Sequence, residues 1–300
     1  MRIILTLLIT FSLHNLLDAQ NEQNIIVNDD VIHLKIYGSG IPVLIINGGP
    51  GMNSDGFQSL AKIIGQSKMA IIYDQRGTGQ STLTKIDEST ISMNSMVNDI
   101  EIIRNHLKLD KWIVFGHSFG GMLGSYYASK FPNRVQGLIL SSSGGIDMRL
   151  FSNLNISSRL SKTERDSLNY WNNKITEGDT SYHARLQRGK FLAPAYLFDK
   201  SNVPIIAHRL TQGDLNINQL VFQNMRKIDF NCAEELKKFT APVLIIQGKQ
   251  DIIPENIGSY ANNVLPNSTL VIVEKCGHYG WLDNSDKYFK SINRFLENFE

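Results

Sequence analysis

The chain has 300 residues, 42% of them hydrophobic, enough to bury one large core without calling for a second independent domain. Its formal charge is only +2, and its basic residues are dispersed rather than massed, which argues against a nucleic-acid partner. Two cysteines, Cys232 and Cys276, are too few for a disulfide-stapled scaffold; they could pair in an oxidising compartment or serve as small buried hydrophobes.

In chain order, Met1-Arg2 precedes an apolar stretch from Ile3 to Leu13, and a small residue follows at Ala19. That layout predicts a cleaved signal peptide over 1–19, a mature chain from Gln20, and a periplasmic or extracellular location. His14 and Asn15 interrupt the run well short of the ~20 apolar residues a membrane span needs, and no later segment reaches that length.

Short β-branched runs then alternate with helical patterns. Strands are predicted at Val31–Tyr37, Pro42–Ile46, Met69–Tyr73, Trp112–Phe115, Val135–Leu140, Pro242–Ile246 and Leu270–Val273. Unbroken apolar runs of this length read as strands covered on both faces. Met93, Met96, Val97, Ile100, Ile103 and Leu107 recur at helical spacing, as an amphipathic crossover helix requires. Strand and helix therefore alternate as in a mostly parallel sheet with helices on both faces.

The alternation stops at 146–240, where the sequence is polar and rich in helix signals. Ser161-Lys-Thr-Glu164 reads as a capping box ahead of a helix with Leu168 and Trp171, and Asn218 to Met225 reads as another helix. The organisation expected is a core of residues 20–145 and 241–300, interrupted by a helical cap at 146–240.

Gly116-His-Ser118-Phe-Gly120 follows the strand ending at Phe115 and precedes a helix through Met122 to Lys130. Gly-x-Ser-x-Gly at such a junction is a nucleophile elbow, a turn tight enough to thrust the serine hydroxyl clear of the backbone. A serine nucleophile needs a base held in one tautomer by a carboxylate, and on this architecture the chain order is serine, acid, histidine. Asp251 and His278 each fall just past a predicted strand end, in that order, whereas the other histidines are out of register. His117 adjoins Ser118 but is expected to point away from it. Acyl transfer also needs N–H donors for the oxyanion. Phe119 supplies one, and Gly49 in Asn47-Gly-Gly-Pro-Gly51 is the choice for the second. Neither cysteine has a partner at zinc-ligand spacing, so no metal and no cofactor is expected.

Taken together, Asn47-Gly-Gly-Pro-Gly51, Tyr73-Asp-Gln-Arg-Gly-Thr-Gly-Gln-Ser81 and the Ser118 elbow resemble the proline iminopeptidase family of α/β hydrolases. The resemblance implies the α/β-hydrolase fold and release of an N-terminal residue from short peptides. It also implies that Asp74 and Arg76 brace the oxyanion loop. The chain departs from that family at Asn47, where histidine is usual, in the elbow sequence, and at Ile252, where some relatives carry glutamate.

The function expected is a serine aminopeptidase acting on a small-molecule or short-peptide substrate. Its alternatives are an ester or lactone hydrolase with the same triad and a non-catalytic binding protein on a hydrolase scaffold. An aminopeptidase needs a carboxylate for the substrate ammonium, and Glu177, Asp199 or another acid between Asp147 and Asp229 is expected to supply it.

Overall fold

A computed structural model describes residues 21–151 and 154–299; the predicted signal segment at 1–19 lies outside the described residues. The chain forms one eight-stranded sheet. The strands are β1 (Asn21–Val27), β2 (Asp30–Tyr37), β3 (Pro42–Ile46), β4 (Met69–Tyr73), β5 (Trp112–His117), β6 (Val135–Ser141), β7 (Val243–Gly248) and β8 (Ser268–Val273). Their order is β1-β2-β4-β3-β5-β6-β7-β8; β1 and β2 pair antiparallel with each other, β2 pairs antiparallel with β4, and the rest are parallel.

Each central strand feeds two separate cores, because successive side chains leave opposite faces of a sheet. On β3, Leu44 and Ile46 join one hydrophobic cluster while Val43 and Ile45 join the other; on β5, Trp112 and Val114 oppose Ile113 and Phe115. This two-sided burial is why the runs are apolar throughout.

The core helices are α1 (Gln58–Ile64), α2 (Met93–His106) and α3 (Phe119–Lys130). Between β6 and β7 come α4 (Lys162–Thr176), α5 (Tyr182–Leu192), α6 (Val203–Arg209), α7 (Leu215–Lys227) and α8 (Ala233–Leu236). After β7 follow α9 (Glu255–Val264), α10 (Gly280–Asp283) and α11 (Ser285–Leu296). Helices α2, α3 and α9 pack on one face, and α1 and α11 on the other. The capping box at Ser161 and Glu164 forms as predicted, each side chain bonding the other residue's backbone N–H, and it opens α4. The second cap helix extends beyond its predicted span, starting where the Asp214 side chain caps Ile217 N–H.

Two elements differ from expectation. Strand β1 was not predicted, because as an edge strand it buries only Ile25 and leaves Ile26 exposed, so no apolar run marks it. The available signal was the Asn28-Asp29 turn, whose Asn28 adopts the positive φ of 55° that two-residue hairpins favour. The short α1, between β3 and β4, was not predicted either.

The two cysteines are free and lie in different cores, on opposite sides of the sheet. Burial pushes both thiols up to about 12, which keeps them protonated and unreactive.

Candidate active site

Strand β5 ends in the elbow. Ser118 has φ 55° and ψ −119°, a conformation an L-residue holds only at a cost of about 1–3 kcal/mol. Hydrogen bonds on both sides hold it there: Ser118 N donates to Ser141 O at 3.0 Å, and Ser118 O accepts from Gly121 N at 3.0 Å and Gly144 N at 3.1 Å. The turn needs glycine at 120, where a methyl group would lie 2.1 Å from the Ile46 carbonyl oxygen.

Asp251 and His278 sit past the ends of β7 and β8. His278 Nδ1 and Asp251 Oδ1 are 2.7 Å apart and both side chains are buried. The same carboxylate oxygen accepts Ile253 N–H at 3.0 Å, which fixes its direction. Gln250 ties the two loops together, donating its N–H to Cys276 O at 2.8 Å and accepting Cys276 N–H on its side chain at 3.0 Å.

Ser118 and His278 face one cavity of about 460 Å³, within the usual range for a small-ligand site. Gly49, Phe119, Ile252 and Tyr196 line it as well. The acid–imidazole pair is assembled, whereas Ser118 Oγ has no hydrogen-bond partner among the described residues. A serine–imidazole bond is often loose in a free enzyme and tightens around substrate. Phe119 is the first residue of α3, so its N–H has no helical carbonyl to bond and remains open to a ligand. Gly49 takes a positive φ of 74°. Its neighbour Gly48 packs against the elbow: a methyl there would lie 2.7 Å from Ser118 Cβ and 2.9 Å from His117 O.

The scaffold and motif positions agree with a known family, whose alpha/beta hydrolase fold description matches residues 41–285. The chain belongs to the α/β hydrolase fold family. Among curated relatives it is 27% identical over 279 residues to a proline iminopeptidase of Saccharolobus solfataricus, covering 89% of each chain. A proline iminopeptidase of Lactobacillus helveticus is 25% identical over 278 residues, covering 85% of this chain and 90% of the relative. A solved α/β fold family hydrolase from Bacillus anthracis superposes with TM-score 0.75 at 22% identity, covering 91% of this chain and 98% of the other.

In this α/β hydrolase the loop beside the site departs from what the resemblance implied. Asp74 does brace the segment after the loop at 47–51, its Oδ1 accepting Ser54 N–H and Oγ–H, each at 2.8 Å. Arg76 does not touch that loop; it forms a fork with Asp99 on α2, Nε to Oδ2 at 2.8 Å and Nη2 to Oδ1 at 2.5 Å. Gln75 reaches the loop instead, donating to Asn47 O at 2.9 Å.

His117 packs beside the site. It continues the β5 face of Ile113 and Phe115, and its ring lies 4.6 Å from the His278 ring centre. Burial holds its pKa well below the ordinary 6.5. Below that pH the unfolded chain binds a proton here that the folded chain refuses. Stability is therefore complete above about pH 6.5 and declines as pH falls. We expect the wild type to lose about 1 kcal/mol more than His117→Leu between pH 7.0 and 5.5. Urea unfolding at the two values checks this, and parallel losses would contradict it.

The acids predicted to hold an ammonium do not line the cavity. Glu177 follows the last residue of α4 in solvent, 3.6 Å from Lys174 Nζ, and is not on the cavity lining. Asp199 is exposed and caps Ser201 N–H at 2.9 Å. The acid on the lining is Asp214, also within the predicted interval; its Oδ1 accepts Ile217 N–H at 2.9 Å while Oδ2 has no partner among the described residues.

Sequence reasoning missed the residues that tie the segment between β6 and β7 to the loops carrying Gly48, Pro50 and Asp251. Arg209, buried and over the Phe57 ring, donates to Gly48 O at 3.0 Å; Asn218 Nδ2 donates to Pro50 O at 3.1 Å, and Asp214 N to Gly51 O at 2.9 Å. Arg159 donates to Asp251 O at 2.9 Å, to Gln250 O and to Ala195 O at 3.0 Å. No local pattern announces such contacts, which join residues roughly 90 to 170 positions apart in several cases. Among the described residues no group of His, Cys, Asp or Glu could hold a metal ion, and no helix is long and apolar enough to cross a membrane.

Proposed function

We propose that the protein is a serine hydrolase that cleaves small amide or ester substrates through an acyl-enzyme. The buried His278–Asp251 pair, facing the same cavity as the strained Ser118, is the observation that carries this reading. Ser118 Oγ attacks the substrate carbonyl as His278 Nε2 takes its proton, and Asp251 holds the Nδ1–H tautomer and stabilises the imidazolium. Gly49 and Phe119 N–H groups take the charge that develops on the carbonyl oxygen. The imidazolium then protonates the leaving group, and water enters by the same path to release the acyl part and restore Ser118. A fluorophosphonate probe should label Ser118 stoichiometrically, and far more slowly in His278→Ala. No labelling of intact protein would favour a binding protein on a hydrolase scaffold.

Within that chemistry, the relatives named proline iminopeptidase favour release of N-terminal residues from short peptides. Asp214 is then the partner for the substrate ammonium, its Oδ2 being free at the rim of the cavity. A prolyl arylamide should be cleaved in strong preference to its N-acetyl analogue, and Asp214→Asn should erase that preference. The apolar wall of Met122, Phe151, Phe222 and Ile252 supports ester hydrolysis as the second reading. Equal rates on the free and acetylated amines would put that reading first. We propose as well that the leader read at 1–19 is cleaved on export from the cytoplasm; an intact mass beginning at Gln20 is the expected result for the cleavage.

A further inference from the structure

The cavity wall supplied by α5 carries positive charge that the protein does not neutralise. Arg185 and Arg188 are three residues apart on that helix, so they share a face, and both line the cavity with Ser118 and His278. Arg188 is half-buried. Its Nε donates to Asn172 Oδ1 at 2.8 Å, a neutral partner, and its two terminal nitrogens have no partner among the described residues. The Arg185 guanidinium, nearer solvent, has none at all.

Nor does either arginine form an ion pair with a carboxylate among the described residues. Asp214, the acid on the lining, has half of its carboxylate committed to capping α7. The third lining arginine, Arg209, is different in kind, since its donors are spent on Gly48 O, Asn53 O and Gln212 Oε1. Withdrawing a guanidinium from water without a counterion is costly, and desolvation pushes the Arg188 pKa down. The unused fork of an arginine matches a carboxylate through two parallel charge-assisted bonds.

We propose that Arg188, with Arg185 beside it, receives a carboxylate carried by the substrate. This rests on reading the Ser118 cavity as the hydrolytic site, and it narrows the substrate class to compounds bearing an anionic group. In a short peptide that group is the C-terminal carboxylate, and with Asp214 the cavity then offers one pole for each end of a zwitterion. In an ester it is the free acid of a dicarboxylic half-ester.

Two substrate pairs distinguish these sources: prolyl-alanine against prolyl-alanine amide, and p-nitrophenyl hydrogen glutarate against its methyl ester. Wild-type kcat/KM should favour the free carboxylate in at least one pair by about 30-fold, a typical effect of charge-assisted bonding. Arg188→Gln should bring that ratio to within about threefold, mainly through KM, and Arg188→Lys should restore part of it. Binding is read apart from turnover by calorimetric titration of prolyl-alanine and glutarate into the Ser118→Ala protein. A carboxylate ligand that binds there, and is lost on adding Arg188→Gln, supports the proposal even if the hydrolytic reading fails. Should Arg188→Gln not fold, Arg185→Gln and the wild-type ratios still decide. Equal rates within both pairs, no carboxylate binding to Ser118→Ala, or a ratio untouched by Arg188→Gln would overturn it.

Discussion

Ser118→Ala should lower kcat by about 10⁴- to 10⁶-fold and leave the protein folded, because it deletes the nucleophile without deleting a hydrogen bond of the folded state. The backbone bonds that hold the elbow, from Ser118 N to Ser141 O and from Gly121 N and Gly144 N to Ser118 O, are indifferent to the side chain. Alanine keeps the Cβ that packs beside Gly48. The melting temperature should therefore move by no more than about 2 °C, a surface-like change of less than ~0.5 kcal/mol. A clean Ser118→Ala preparation with undiminished turnover would end the acyl-enzyme mechanism.

Asp251→Asn should cost about 10⁴ in kcat, since an amide in that position favours the wrong tautomer of His278. The informative control is Asp283→Asn, because that acid serves structure. Asp283 Oδ2 accepts Gly277 N–H at 2.7 Å and Phe198 N–H at 2.9 Å, while Oδ1 accepts Asp199 N–H at 2.9 Å. An asparagine there sets an NH₂ group against at least one backbone donor, for a loss of about 1–3 kcal/mol of stability. Asp251→Asn should thus appear chiefly in kcat, with a stability loss limited to the Ile253 N–H contact that shares Oδ1 with His278, and Asp283→Asn chiefly in the melting curve. If the two cost the same in turnover, Asp251 is not the acid that orients His278.

The parts of the molecule legible in the sequence are those whose physics is local or periodic. Strands β3 to β7 carry apolar residues toward two cores at once, so their runs stand out; β1, with Ile25 alone buried, offers nothing to count. The elbow is a five-residue motif whose glycines answer to contacts with Ile46 O and neighbouring backbone, so its position could be read directly. Asp251 and His278 followed from chain order and strand ends. Charge in the cap was the opposite case. Glu177, Asp199 and Asp214 look alike as letters, and only the packing of α4 to α7 decides which of them meets the cavity. The roles of Arg185 and Arg188 were hidden for the same reason: an arginine's lack of a partner is a property of three dimensions.

Arg159 gives the cap a bearing on how activity could diverge among relatives. By holding Asp251 O, Gln250 O and Ala195 O together, this one side chain makes the position of the Asp251 loop depend on a residue of the segment between β6 and β7. On the proposed mechanism, specificity and chemistry are therefore not separable modules. Grafting a foreign cap onto this core would bring new pocket walls but leave the acid's loop without its clasp unless the donor supplied an equivalent cation at the same place. Changes of substrate should accordingly accumulate more readily by single replacements on α5 and α7 than by exchange of the whole segment.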